Sequence, residues 1–544
     1  MEPILKQKIQ EALSELGIED VAPTVEFPAE LAHGDYATNV ALVAAKAAKE
    51  SPKALAEKIV AALGTIDGIE KVEVAGPGFI NFTLSRDYYS QVLKNLRTSW
   101  GRSEALRGER LVIEFYQPNY FKALHVGHLM NAMVGETLSR FAEFSGATVY
   151  RIAYYADIGP HIAKAVWGLT ELGIDPHTPE DLSRAYEYGA KQYKENEDAK
   201  ATIDRINQDI YAGENEETQA LFKKGSEVSK KQIDELCERL ELHFDKTFYE
   251  SEGGPIGKKL VERHTGDVFE KSEGATIFPG EKFGLHTRVF LTSKGLPVYE
   301  TKDLGLAKLK LDAFDATELI YVVDVEQTQY FHVVLKVVQM VFPQLVGKVR
   351  HVPHGRLRLP TGRMSSREGN VIMANAILDE LKASVLERKD DPTMAEQVAQ
   401  SALRYLLLRQ SLGGNVVFNK EQALSFEGDS GPYLQYSYVR AKSVLEKAGS
   451  AQLAAGSKTP EVTPTFERML VRFPAVVERA AREYEPHFVT TYLTELAGAF
   501  NSWYATERII GNEHESYYLA LVRAFATTMK NGLWLLGIET PEKM

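Results

Sequence analysis

Apolar positions follow three rhythms along this chain, and the rhythm changes twice. Up to residue 108, helical and alternating stretches mix. Helical spacing predicts helices over 4–16, over the alanine-rich 36–49 and over 51–63, the last opened by Ser51-Pro52. Lys71-Val72-Glu73-Val74-Ala75 alternates as a strand does, and Gly76-Pro77-Gly78 turns it into Phe79-Ile80-Asn81-Phe82-Thr83-Leu84. From residue 109 the pattern is that of a parallel sheet. Leu111-Val112-Ile113-Glu114-Phe115-Tyr116 reads as a buried strand, and 117–124 as a polar turn. Met130, Val134, Leu138 and Phe141, spaced 4, 4 and 3, then form one helical stripe. Gly146 stops that helix and 148–155 is another strand, completing the repeating unit of a parallel sheet. Residues 175–250 are polar and helical, over 181–197 and 216–242, and predict a solvated insertion joining two halves of the sheet. Sheet pattern returns at 290–292 and 319–324, with a helix between them reaching Leu309. From about residue 392 the chain is nearly all helix, with a polar break at 449–464. The expected architecture is α/β: an α+β module (1–108), a parallel-sheet domain (109–391) and an all-α bundle (392–544).

Composition narrows the class. At 544 residues the chain holds several domains, each large enough for its own core. It has no run of 18 apolar residues, and its first residues lack a signal-peptide core. The single cysteine, Cys237, excludes internal disulfides and any multi-cysteine zinc site, and is expected to be an inert packed thiol. A reducing, cytoplasmic setting follows. The net charge of −12 argues against indiscriminate nucleic-acid binding, but leaves room for RNA on a localised surface.

Candidate chemistry concentrates where the polar turn enters the striped helix. A helix start leaves N–H groups unpaired and carries partial positive charge, which suits phosphate. His125 and His128, three apart, lie on one face there. Gly127 permits close approach to the backbone, and Lys122 adds a mobile cation just before. Neither of the two commonest phosphate loops is present. Taken alone, His-x-x-His is more often a pair of surface caps.

The longer string Asn119-x-x-Lys122-x-x-His125-x-Gly127-His128, directly after a buried strand, resembles the HIGH motif of class I aminoacyl-tRNA synthetases in the form used by arginyl-tRNA synthetases. The resemblance implies a Rossmann-type class I catalytic domain. His125 and His128 would contact ATP phosphates, and Gly127 the adenine side. Tyr299-Glu300-Thr301-Lys302-Asp303 and Tyr321-Val322-Val323-Asp324-Val325-Glu326-Gln327 resemble two further strings of that family. By this resemblance Glu114, Asn119, Tyr299, Asp303 and Gln327 hold L-arginine. A guanidinium is a planar fork of donors that calls for carboxylates. By spacing alone, Tyr299 and Asp303 would be a surface pair. Gly362-Arg363-Met364-Ser365-Ser366-Arg367-Glu368-Gly369-Asn370 resembles a degenerate KMSKS loop, with Arg363 at its first lysine and Ser366 at its second. Residues 363–367 would then close over the triphosphate, with Lys122 supplying the charge of the missing lysine. Ile158 stands where the family usually has tryptophan, and Asp324 where it has a small residue.

His33-Gly34-Asp35-Tyr36-Ala37-Thr38-Asn39 and Gly76-Pro77-Gly78-Phe79-Ile80-Asn81 resemble the family's N-terminal additional domain, which implies that Asn81 touches the tRNA D-loop side. Tyr433-Leu434-Gln435-Tyr436 and the chain end 536–544 resemble its anticodon-binding domain, implying tRNA contacts by Tyr433, Tyr436, Arg440 and Met544. By spacing, the same tyrosines can stack on bases or sit in a core. The implied activity is ligation of L-arginine to tRNA(Arg) through an adenylate, with activation needing bound tRNA. ATP with Mg²⁺ is expected, with no zinc or other metal site, no DNA or membrane partner, and a monomer. A cysteine-specific enzyme would need zinc-binding cysteines, and enzymes for branched aliphatic amino acids an editing insertion. A regulatory relative that has lost ligation remains the rival from another class, favoured only by the degenerate loop.

Overall fold

The computed structural model describes residues 1–28, 30–358, 373–449, 459–460 and 462–544, which fall into two units. Residues 363–367 lie outside the described residues.

One unit comprises Met1–Trp100, Arg440–Pro474 and Glu495–Asn531. Its sheet is antiparallel, in the order Tyr36–Thr38, Phe79–Leu84, Ile69–Ala75. Leu5, Ile9, Leu13, Leu55, Ile59, Ile80 and Phe82 form the core beneath the helices Glu2–Glu15 and Pro52–Leu63. The alanine-rich helix predicted over 36–49 begins at Val40, because Tyr36, Ala37 and Thr38 pair with Phe82, Asn81 and Ile80. Tertiary pairing overrides local propensity there. Asp35 is buried, accepting from the Leu84 amide (2.8 Å) and from Arg468 Nε (2.8 Å).

The other unit comprises Gly101–Val439, Ala475–Thr494 and Gly532–Met544. Its centre is a five-stranded sheet in the order Val349–His354, Glu318–Asp324, Arg110–Tyr116, Thr148–Tyr155, Lys246–Tyr249. All four pairings are parallel. Arg110–Tyr116 is central and its middle residues are buried, as a continuous apolar run requires when both faces are covered. The striped helix spans Val126–Phe144 and buries Met130, Val134, Leu138 and Phe141. The strand expected at 290–292 is Arg288–Leu291. It belongs to a separate antiparallel sheet with Glu270–Ser272 and Ala275–Phe278, two short strands too brief to announce themselves by alternation.

The insertion helices are Pro179–Glu195, Glu197–Ala212 and Glu216–Arg239. They are not merely solvated. Leu182, Ile203, Ile233 and Leu236 are buried, and two of these helices grip the turn before His125. Burial pushes the Cys237 thiol up to about 12, which keeps it unreactive. No described helix is long and apolar enough to cross a membrane.

Candidate active site

The sheet's central strand sets the site. Its pairing with Thr148–Tyr155 shifts register between Glu114 and Tyr116, a local irregularity of the kind that re-aims a side chain next to an active site. The chain then stays tied to the neighbouring strand end: the Ala156 amide donates to the Pro118 carbonyl (3.0 Å), and the Tyr120 amide to the Ala156 carbonyl (3.1 Å). Asn119 bridges to Ala156 and is thereby fixed at the carboxyl edge of the sheet, where open α/β sheets bind ligands.

His125 caps the helix Val126–Phe144. Its Nδ1 accepts from the Gly127 amide (3.1 Å), and His128 Nδ1 accepts from the His125 amide (3.1 Å). A ring nitrogen that accepts an N–H carries no proton, so each imidazole is left with Nε2–H as its donor. The rings lie 4.1 Å apart. Burial, reinforced by Lys122 and Arg356, pulls His125 down to about 4. Burial and then His125 pull His128 well below the usual range. Both are neutral donors at physiological pH. Gly127 is required by His125 itself: a Cβ there would stand 2.9 Å from the folded-back ring.

A second cluster, of acidic side chains, gathers around Glu114 and Asp303. Glu114 is 3 % exposed, forms a buried ion pair with Lys310 and accepts from Gln117 Nε2 (3.2 Å). The Lys310 ammonium also sits 3.9 Å over the Tyr321 ring. Burial lowers the Lys310 pKa, against the pull of Glu114. Asp303, two turns before Lys310 on the helix Tyr299–Ala313, accepts from the Tyr330 hydroxyl (2.5 Å). Burial pushes its carboxyl up to about 8; Tyr330 and Lys310 oppose this, and Glu114 and Glu250 add to it. The hydroxyls of Tyr154 and Tyr321 are buried with no hydrogen-bond partner among the described residues, and both rings feel the charges of Glu114 and Asp303. Two acids that share one ammonium are short of positive charge, and the two phenols are short of partners.

The expected residues separate by position. Lys122, His125 and His128 gather at one helix start, and Glu114 with Asp303 in the acidic cluster. Tyr299 is 53 % exposed and Gln327 is exposed on the turn Val325–Gln327 after the neighbouring strand. Asp324 faces neither bulk solvent nor an unpaired site: it caps that turn through the Glu326 amide (2.8 Å) and pairs with Arg356. Ile158 is buried, and its carbonyl accepts from Lys302 (3.5 Å).

Several contributors escaped sequence reasoning. Lys302 pairs with Glu250, both buried, and Ser251 donates to Asp157 through its hydroxyl (2.6 Å) and amide (3.0 Å). His354 contacts Asn131, which donates to Gln117 (2.7 Å), so a buried polar relay runs into Glu114. Lys310 is seven positions after Asp303, two turns along one helix, and that spacing was its only signal.

Among the expected RNA contacts, Asn81 and the 40 % exposed Phe79 line a cavity of about 550 Å³ with Thr24, His33 and Asn39. Arg440 donates to Asn501 (2.6 Å) and lies 5.1 Å over Tyr504. Tyr436 is 38 % exposed, Tyr433 half-buried and Val444 buried, so that stripe is part core and part surface. Met544 is half-buried at the chain end.

A model of the class I (R) tRNA synthetase catalytic domain matches residues 90–409, one of the arginyl-tRNA synthetase N-terminal domain residues 3–84, and one of the DALR anticodon-binding domain residues 434–544. The arginine–tRNA ligase of Treponema denticola is 32% identical over 96% of this chain and 94% of its own length. That of Ligilactobacillus salivarius is 30% identical over 99% and 98%. The arginyl-tRNA synthetase structure from Thermus thermophilus superposes with a TM-score of 0.83 at 25% identity, covering 100% of both chains. With the HIGH-type helix start, the cluster of Glu114 and Asp303 and all three domain models in chain order, the chain belongs to the class I arginyl-tRNA synthetase family.

Proposed function

We propose that this chain activates L-arginine with ATP and transfers the arginyl group to tRNA(Arg). The observation that carries this reading is Asp303: a half-buried acid, held by one phenol and close to Glu114, whose cation Lys310 is already paired. A guanidinium supplies the missing positive charge and five N–H donors in one plane. An ammonium side chain supplies the charge but not the fork.

Activation joins the arginine carboxylate to the α-phosphorus and releases pyrophosphate. Phosphate oxygens meet the Nε2–H groups of His125 and His128 and the amides of the helix start, neutral or dipolar donors that need no rearrangement as charge develops. Lys122 adds a full positive charge there. Arg363, Met364, Ser365, Ser366 and Arg367 are proposed to close over the triphosphate. Asn119, Tyr299 and Gln327 complete the arginine site from its rim. Mg²⁺ is proposed to accompany the nucleotide. The Asn81 cavity and, separately, the residues Tyr433, Tyr436, Arg440 and Met544 are proposed to take up tRNA, with activation dependent on that binding. The protein acts as a cytoplasmic monomer in this reading.

Charging of total tRNA with each of the twenty amino acids tests it. Arginine alone is expected to be esterified, and only to its own tRNA. Charging with another amino acid, or ATP–pyrophosphate exchange without any amino acid, overturns it.

A further inference from the structure

The turn before His125 is held from outside the sheet. Three consecutive residues, Phe121, Lys122 and Ala123, each meet the helical insertion, and each by a different kind of contact.

Phe121 has φ of 60°, a left-handed backbone that a bulky residue adopts only under constraint. The constraint is visible. Its amide receives no sheet partner but donates to Ser229 Oγ (2.8 Å), and its ring stacks on Phe222 at 6.3 Å and 6°. Gly225, on the same helix, clears the space for that ring; a Cβ there would stand 2.3 Å from it. From the helix Pro179–Glu195, Ser183 Oγ accepts from the Ala123 amide (3.2 Å). One turn or nearly so along the same face, the Tyr186 ring lies 4.6 Å from the Lys122 ammonium. A half-buried ammonium over an aromatic face is attracted by the ring's quadrupole, and more strongly where water is excluded. The charge so held is felt by the half-buried His125 and the buried His128 and His161.

We propose that Tyr186 is a positioning residue for Lys122, and that the insertion acts through it and through Ser183 and Ser229 as a clamp on the turn that leads into the ATP-binding helix start. The inference rests on the reading of Lys122 as the phosphate-neutralising cation. The clamp acts chiefly on rate. A lysine side chain has four rotatable bonds, and an ammonium that must find phosphate from an unrestrained ensemble neutralises it less in the transition state.

Single-turnover arginine charging with tRNA and saturating Mg-ATP tests this in a double-mutant cycle. Tyr186→Leu is expected to slow activation about tenfold, mainly in kcat, with the thermal midpoint unmoved. Tyr186→Phe, which keeps the ring, restores most of the rate. In a Lys122→Ala background, Tyr186→Leu has less than about a twofold further effect, because the group it positions is gone. If Lys122→Ala charges at a near-normal rate, the role assigned to Lys122 fails, and the proposal with it. If Lys122→Ala is slow but Tyr186→Leu is silent, or multiplies its loss in full, Lys122 stands and the Tyr186 proposal alone is overturned.

Discussion

Two acids in the parallel-sheet unit, Glu136 buried and Asp303 half-buried, show what separates a scaffold from the proposed binding site. Glu136, inside the helix Val126–Phe144, gives one carboxylate oxygen to Arg140 Nε (2.7 Å) and the other to Arg151 Nε (2.8 Å). Burial works to raise its pKa, but the two guanidiniums win and hold it below the ordinary range. Asp303 is half-buried and meets a phenol instead, and desolvation of its carboxyl wins: it sits at about 8. Glu136 already has the arginine partners that Asp303 lacks. A saturated acid has nothing left to bind; an undersupplied one is complementary to what it is missing. The same guanidinium–carboxylate chemistry is a structural tie at one site and, in the proposed function, a substrate requirement at the other.

The largest effect is expected from removing the undersupplied acid. Asp303→Asn should lower kcat/KM for arginine about a thousandfold, roughly 4 kcal/mol, since a buried guanidinium loses its charged acceptor. The fold should not suffer. The native state holds the Asp303 proton up to about pH 8, whereas the unfolded chain releases it near pH 4. The ligand-free protein therefore loses stability as pH rises between those values, and Asp303→Asn removes that part of the dependence. Thermal melts from pH 5 to 8.5 check this.

Glu136→Ala is the converse experiment. It takes the carboxylate from Arg140 and leaves Arg151 paired with Glu143 alone, and should lower the unfolding free energy by about 3 kcal/mol while leaving the KM for arginine unchanged. Denaturant titration and steady-state charging together decide it. A raised KM without instability would erase the contrast.

Arginine affinity should depend on pH through the acidic cluster. Bound guanidinium stabilises ionised Asp303, so the dissociation constant should fall about tenfold per unit as pH rises from 6.5 to 7.5, then flatten above about 8. Glu114, Glu250, Lys310, Tyr330, Tyr154 and Tyr321 also face this carboxyl. The smallest effect belongs to Asp324, already committed to Arg356 and to its turn. Asp324→Asn should change the KM for arginine less than about twofold and cost at most about 1 kcal/mol of stability.

This contrast was only half legible in the sequence. Glu114, Asp303, His125 and His128 sit inside strings whose order and spacing are specific, and the stripe of Met130, Val134, Leu138 and Phe141 announced its helix. The counter-ions did not announce themselves. Lys310 reaches Glu114 from 196 positions away, and Tyr330 meets Asp303 from another helix, so no local pattern joins them. Tyr186 likewise meets Lys122 only because the insertion folds back, which a polar helical stretch does not reveal. Tyr36–Thr38 is too short for any period to show. Local rhythm reports which element a residue belongs to; whether a charge is satisfied depends on tertiary partners, and that difference decides function here.

Calorimetry of arginine binding at pH 7, repeated in two buffers of different ionisation enthalpy, tests the central claim most directly. If Asp303 is a protonated acid that gives up its proton to meet a guanidinium, about 0.9 proton should be released per arginine bound. Equal heats in the two buffers, meaning no proton released, would contradict it.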